Sequence, residues 1–173
     1  MSLAPGTSNP AANNTSWSNI WTLNVPNKVK HFIWRACHES LRTKKNLLIR
    51  KVTRNSICER CQSETGDTVH ALWGCQPLKE IWWEEQCFRN QLTSHFVDFR
   101  DLWTGVLNYK EHNLAERFAY IAWSIWYNRI AARTNTTHLP LSMVYQDLPA
   151  FGLTTTADPF DTSSESHPQS KFW

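Results

Sequence analysis

Residues 58–75 read Cys-Glu-Arg-Cys-Gln-Ser-Glu-Thr-Gly-Asp-Thr-Val-His-Ala-Leu-Trp-Gly-Cys. Three cysteines and one histidine stand here at the spacing Cys58-x2-Cys61-x8-His70-x4-Cys75. Three thiolates and one imidazole are the donor set of a closed tetrahedral zinc site, in which four protein ligands leave no open position for water. Two sulfurs separated by two residues grip an ion from one tight turn. The eight-residue excursion to His70 is too short to hide a domain and long enough to close a loop. The competing reading is four unrelated reduced side chains. The whole chain has only five Cys and seven His, so four of them within 18 positions is poorly explained by chance. The expectation is one structural zinc on Cys58, Cys61, His70 and Cys75, with no catalytic metal.

Upstream of this loop the pattern is helical. Pro26 is a good first helical residue, because its missing N–H would have been unpaired there anyway. Val29, Phe32, Ile33, Ala36 and Cys37 follow at steps of three and four and predict an amphipathic helix over about 26–39. Lys28, His31, Arg35, His38 and Arg42 share a stripe on its other side. Thr43 is a candidate N-cap for a second helix, Lys44–Arg50, with Leu47 and Leu48 inward. Residues 52–75 read as a compact loop-rich stretch with a turn at 64–67. Downstream, three helices are expected, over Pro77–Asn90, Asp98–Leu107 and Glu111–Arg133, with a short last one at Leu141–Leu148. The long one is apolar around most of its circumference, so it is expected at the centre with its Trp residues in the core. Cys37 and Cys87 lack partners at ligand spacing and are expected in the core, and His38 at the surface or in a polar network. Strands are at most a short pair around the cysteine loop. The fold class is therefore mainly α, a small helical domain with a zinc-stabilised loop.

The flanks and the composition set the limits. The chain has 173 residues, 41% apolar and 19% charged, with ten Trp and eight Phe to build a core. Residues 1–16 and 154–173 are poor in apolar surface and are expected to be disordered tails. The folded part then divides into 17–85, which holds the metal loop, and 86–153, a helical extension packed on it. Only five Gly argues against a glycine-rich nucleotide-binding architecture. A mean hydropathy of −0.50 without an 18-residue apolar run excludes a membrane-spanning helix. The N-terminus has neither a basic region nor an apolar run of secretory type, and an odd cysteine count fits reduced thiols. An intracellular chain is expected, in nucleus or cytoplasm. Charge is unevenly placed: residues 26–60 hold ten basic side chains against Glu39 and Glu59, while the remainder has eight basic against thirteen acidic. Such a block suits either a polyanion partner or a solvated helical surface.

The string from Trp17 through Ile20, Trp21, Pro26, Lys28, Lys30, Phe32, Trp34 and Arg35, then Leu41, Asn46 and Leu47, then the ligand set with Glu64, Thr65, Ile81 and Trp82, resembles the reverse transcriptase zinc-binding domain of plant non-LTR (LINE-type) retrotransposon polyproteins. The likeness covers about residues 17–85, with a looser extension through Trp123, Ile125, Trp126 and Arg129. The family's ligand pattern maps onto Cys58, Cys61, His70 and Cys75. The family's usual upstream segment, a Phe-Ser-Val-x-Ser-Ala-Tyr-like strand region, is absent. No Tyr-x-Asp-Asp polymerase motif is present, and no two aspartates are adjacent. Phosphoryl transfer with two metals needs several converging carboxylates, so no catalytic residue is expected and the chain reads as a non-enzymatic fragment of a larger enzyme.

Two functions follow from these residues. In the first, Lys28, Lys30, Arg35, Arg42, Lys44, Lys45, Lys51 and Arg54 contact the phosphates of single-stranded RNA or an RNA–DNA intermediate. In the second, zinc only closes the fold and a Trp-rich surface docks neighbouring polyprotein domains, or the fragment is a non-functional remnant. One contiguous basic face favours the first, and dispersed charge beside an exposed aromatic patch favours the second.

Overall fold

The computed structural model describes residues 18–89, 94–109, 111 and 113–134. The two expected tails and the expected helix at 141–148 lie outside the described residues. After a helical turn at 18–22, helix α1 runs Asn27–Cys37. Pro26 precedes it, and the Pro26 carbonyl accepts from the amides of Val29 (2.9 Å) and Lys30 (3.2 Å). The five apolar positions expected inward, Val29, Phe32, Ile33, Ala36 and Cys37, are all buried. Burial also pushes the Cys37 thiol up to about 12, so it stays protonated and inert.

Helix α2, Lys44–Ile49, starts where expected: the Thr43 hydroxyl accepts from the Asn46 amide at 3.2 Å. The Asn46 side chain reaches back to the carbonyls of Glu39 (2.6 Å) and Leu41 (2.9 Å), which closes the turn between the helices. Its leucines do not point inward, however. Leu47 is half-buried and Leu48 exposed. This six-residue helix is held through its first turn, where the Lys45 amide donates to Gly66 O at 3.1 Å, and not through an apolar face.

The stretch expected as loop ends in regular structure. Residues His70–Gly74 form one π-helical turn, and Gln76–Leu78 a 3-10 turn. The expected continuous helix over 77–90 is broken in two, α3 at Lys79–Glu84 and α4 at Gln86–Arg89. Steps of four and three from Ile81 put Glu85 on the inward face, before Phe88. A carboxylate buried there needs a cation, and Glu85, 5% exposed, pairs with Arg117 of the last helix. The chain leaves helical geometry at Glu85 (φ −87°, ψ 105°), and burial of the pair overrides the periodicity.

Helix α5, Phe99–Leu107, is closed at its start by reciprocal bonds. Asp98 accepts from the Asp101 amide at 2.8 Å, and Asp101 accepts from Val97 N at 3.1 Å. Helix α6, Leu114–Arg133, packs against α1, α5 and the π-turn. Phe118 of α6 is the hub of an aromatic core, with Trp82 stacked on it at 5.1 Å and Trp73, Phe88, Phe99 and Trp103 within 6.1 Å. One apolar cluster joins Ile20 to Ile125 without interruption.

Two core expectations are corrected. Trp123 and Trp126 of α6 are half-buried: Lys28 sits over Trp123 at 5.1 Å and Arg133 over Trp126 at 5.9 Å, so cations cover the faces the core leaves open. Cys87 is half-buried as well, and its thiol donates to the Glu111 carboxylate. Among the described residues the only β pairing is an isolated bridge between Ile57 and Thr65, at the base of the cysteine loop. Among them, too, no helix is long and apolar enough to cross a membrane.

Candidate metal centre

The bridge between Ile57 and Thr65 brings the two ends of a short excursion together, and the Cys58 amide donates to Glu64 O at 2.8 Å. Gly66 is buried beneath it. A Cβ at this position would lie 3.2 Å from both Cys58 Cα and Lys44 Cβ, so a side chain would push the loop off α2. The turn after Cys61 is completed by Gln62 in the left-handed region (φ 56°), whose amide returns to Cys58 O at 2.9 Å. Cys58 and Cys61 thus share one knuckle.

The other two ligands come from a single wide turn. Asp67 caps it, accepting from the His70 amide at 2.9 Å. At its far end the Cys75 amide donates to His70 O at 3.0 Å, an i to i+5 bond. A π-turn advances the chain by less angle per residue than an α-turn, so five residues on, Cys75 returns close to the face that carries His70. The His-x4-Cys spacing depends on that wider turn.

The four ligand atoms all lie within 4.8 Å of one another. Cys58 Sγ and Cys75 Sγ are 3.8 Å apart, and Cys61 Sγ is 3.3 Å from His70 Nε2. With zinc–sulfur bonds of about 2.3 Å and zinc–nitrogen bonds of about 2.0 Å, a tetrahedron has edges of roughly 3.8 Å between sulfurs and roughly 3.5 Å from sulfur to nitrogen. The donor set and its spacing fit one zinc ion. His70 is also oriented for it. The Glu64 carboxylate lies 3.2 Å from Nδ1 and accepts its proton, which leaves the Nε2 lone pair facing the sulfurs.

The thiols show why a cation belongs there. Desolvation would raise Cys61, but hydrogen bonds from the Ser63 side chain and the Ser63 and Glu64 amides outweigh it and hold the thiol down at about 5. Cys58 is also lowered, against its own desolvation, by the amides of Cys61 and Arg60 and by the Arg129 guanidinium. Cys75 is pushed the other way, up to about 12, by burial and then by the two neighbouring sulfurs. Two thiolates are welcome and the third is refused until a dication is present. Fastened otherwise by one isolated bridge and a few turn bonds, the loop should open when the metal is removed.

Acidification should accordingly release zinc. In the opened loop the thiols titrate near 8.5 and the imidazole near 6.5, whereas the metal keeps all four deprotonated to much lower pH. Groups depressed in the folded state contribute stability above their unfolded values and lose it as pH falls. Log affinity should drop by about 3 per pH unit below pH 8 and by about 4 below pH 6.5. Chelator competition across pH 5–8 measures this, and a slope near one would contradict a three-thiolate site.

Around the ligands lies a polar set that sequence reasoning did not assign. Glu59, inside the knuckle, meets Arg133 (2.6 Å), Arg129 (3.3 Å) and Lys44 (3.6 Å). Burial would raise the Glu59 carboxyl, but Arg133 and Arg129 hold it below its ordinary value. The signal available in the sequence was Arg129 itself, a cation four residues after Ile125 on the inward face of a mostly apolar helix.

The eight basic residues expected on phosphate do not form one group. Arg35 is exposed on the outer side of α1 and donates to Ser40 O at 3.5 Å, whereas Lys28 and Lys30 are half-buried at its flanks, Lys28 over Trp123 and Lys30 Nζ donating to Trp21 O at 3.1 Å. Arg42 is exposed beyond α1, and its carbonyl accepts from Arg133 at 2.6 Å. Lys44 and Lys45 face the metal loop, paired with Glu59 and with Asp67 (3.9 Å). Lys51 and Arg54 are exposed after α2.

Fold and site together define a class, a helical domain whose chain is closed by a zinc centre of three cysteines and one histidine. Residues 6–82, a little under half of the chain, match the family described as zinc-binding in reverse transcriptase. A putative ribonuclease H protein of Arabidopsis thaliana is similar to it, 27% identical over 74 residues. The aligned part is 42% of this chain and spans only 12% of that relative's length. No solved structure matches the chain.

Proposed function

We propose that the domain binds single-stranded RNA or an RNA–DNA intermediate through the outer face of α1 and supplies no polymerase or ribonuclease chemistry of its own. One observation carries this reading: two exposed indoles stand among cations on that face. Trp21 is 44% exposed and meets His31 edge-on at 5.1 Å, and Trp34 is 39% exposed with His38 against it at 4.4 Å. Lys30 and Arg35 flank them. Aromatic faces for bases, interleaved with cations for phosphates, are the elements of single-strand recognition. Zinc, when bound, supplies the folding energy that holds the loop against α2 and α6. Catalysis is disfavoured by the carboxylates: Glu59, Glu85, Glu111 and Asp67 are each spent on a cation. Among the described residues the one group of three or more converging ligand side chains is the zinc set. The partner class and an intracellular setting agree with a reverse-transcribing element as the domain's source.

Fluorescence anisotropy of the zinc-loaded protein with single-stranded RNA, over a salt series, tests the reading. Replacing Lys28 and Arg35 with Gln should weaken all sequences alike and flatten the log–log salt slope by roughly 1–1.4. Trp34→Ala should cost about 1–3 kcal/mol for each stacked base, with the slope unchanged. If both variants bind like the wild type, the face is only solvated and the protein-docking reading gains. Template-dependent incorporation by pure protein with magnesium would overturn the non-catalytic half.

A further inference from the structure

The sequence match to the zinc-binding family stops at residue 82, yet the side chain that reaches the Cys58 sulfur from outside the ligand set comes from residue 129. Arg129 lies near the end of α6 and is only 2% exposed. Its Nη1 is 3.6 Å from Cys58 Sγ and 3.3 Å from Glu59 Oε1, and its Nη2 donates to Ala71 O at 3.1 Å. One guanidinium therefore touches a ligand sulfur, the residue following that ligand, and the π-turn between His70 and Cys75. Its Nε, also buried, has no hydrogen-bond partner. A cation buried with an unpaired donor is a poor device for stability alone, since an apolar side chain of similar volume avoids the desolvation cost.

Charge accounts for its presence. A dication held by three thiolates and a neutral imidazole leaves one net negative charge in a place where Cys58 and Cys75 are fully buried. Arg129 sets one positive charge against it. Glu59 and Arg133 continue the alternation outwards, and Lys44 joins at the surface. Metal-ligand shells are tuned in this way by the groups that hydrogen-bond their ligands, and losing one such group typically costs 10–100-fold in metal affinity.

We propose that Arg129 is the outer positioning residue of the zinc centre, neutralising the tri-thiolate site at Cys58 and locking the metal loop to the last helix. The metal-binding unit then extends to about residue 133, past the end of the family match. The inference rests on the zinc centre and is independent of the nucleic-acid reading.

The test uses the full chain, loaded with zinc or with cobalt(II) as a spectroscopic probe. Arg129→Met should weaken zinc binding by about 10–100-fold in chelator competition. It should also move the sulfur-to-cobalt charge-transfer band to lower energy, because the thiolate loses a donor and a nearby positive charge. Arg129→Lys keeps the charge without the fork, so it should restore most of the affinity and only part of the band position. Arg117→Met is the control: it breaks the buried pair with Glu85 on the same helix, far from the ligands, and should lower the melting temperature with affinity and band unchanged. An Arg129→Met affinity within threefold of wild type, or a loss matched by Arg117→Met, would overturn the proposal. If Arg129→Met does not fold, an unshifted cobalt band in Arg129→Lys overturns it instead.

Discussion

A Cys61→Ser protein should hold no tightly bound zinc and should lose ordered structure over about residues 55–76, Trp73 included, while the aromatic packing among the later helices persists. Structural zinc contributes an apparent binding free energy of roughly 10–16 kcal/mol near neutral pH in small fingers, more than most whole domains have to spare. The loop has little else. Up to His70 its backbone is fastened by one isolated bridge and a few turn bonds, and only Ala71, Leu72 and Trp73 of the following turn reach the core. The core is built differently. Trp82, Phe99 and Trp103 each pack on Phe118, and none of the four is part of the metal loop. Native mass spectrometry should give one zinc per wild-type chain and none for the variant. Amide exchange should show protection lost over the loop and kept in α1 and α6. An unchanged zinc content in Cys61→Ser would remove Cys61 from the ligand set.

Phe118→Ala should be the most damaging substitution away from the metal, costing about 3–5 kcal/mol. The ring is fully buried, and Trp73, Trp82, Phe88, Phe99 and Trp103 all pack on it from three other helices and the π-turn. Large indoles at fixed rotamers cannot collapse into the space of a lost phenyl, so most of the cavity should remain. For a folded part of this size, between the small and the medium domain classes, each kcal/mol is worth roughly 4 °C, which puts the fall in melting temperature at about 12–20 °C. Urea titration of the zinc-loaded protein measures it. A loss below about 1 kcal/mol would mean that the aromatic residues repack and that Phe118 is no hub. The zinc stoichiometry of folded Phe118→Ala should stay at one, which separates this effect from that of Cys61→Ser.

Much of the centre was legible because metal ligation is a local code. Four donors within 18 residues specify the ion, its geometry and its closed shell before any tertiary contact is known. The apolar face of α1, the Thr43 cap and the Asp98 start of α5 were readable for the same reason, since each depends on neighbours within one helical turn. Glu85 marks where such reading ends. Its helix was continuous by periodicity, and only Arg117, 32 positions away, explains the break. Leu47 and Leu48 carried an inward pattern on a helix too short and too peripheral to be covered.

By itself, then, the sequence determined the zinc ligands, the helical class, the inner face of α1 and the crowding of cations between residues 26 and 60. Only the tertiary structure decided how those cations are used. It spent Lys44 and Lys45 on carboxylates, placed Lys28 over Trp123, and left Trp21 and Trp34 exposed beside Lys30 and Arg35. It also brought Arg129 to the Cys58 sulfur across 71 positions. The physical reason is one of range. Ligand spacing, capping and periodicity act within a few bonds along the chain, while the partner of a charge depends on which helices the apolar core forces together.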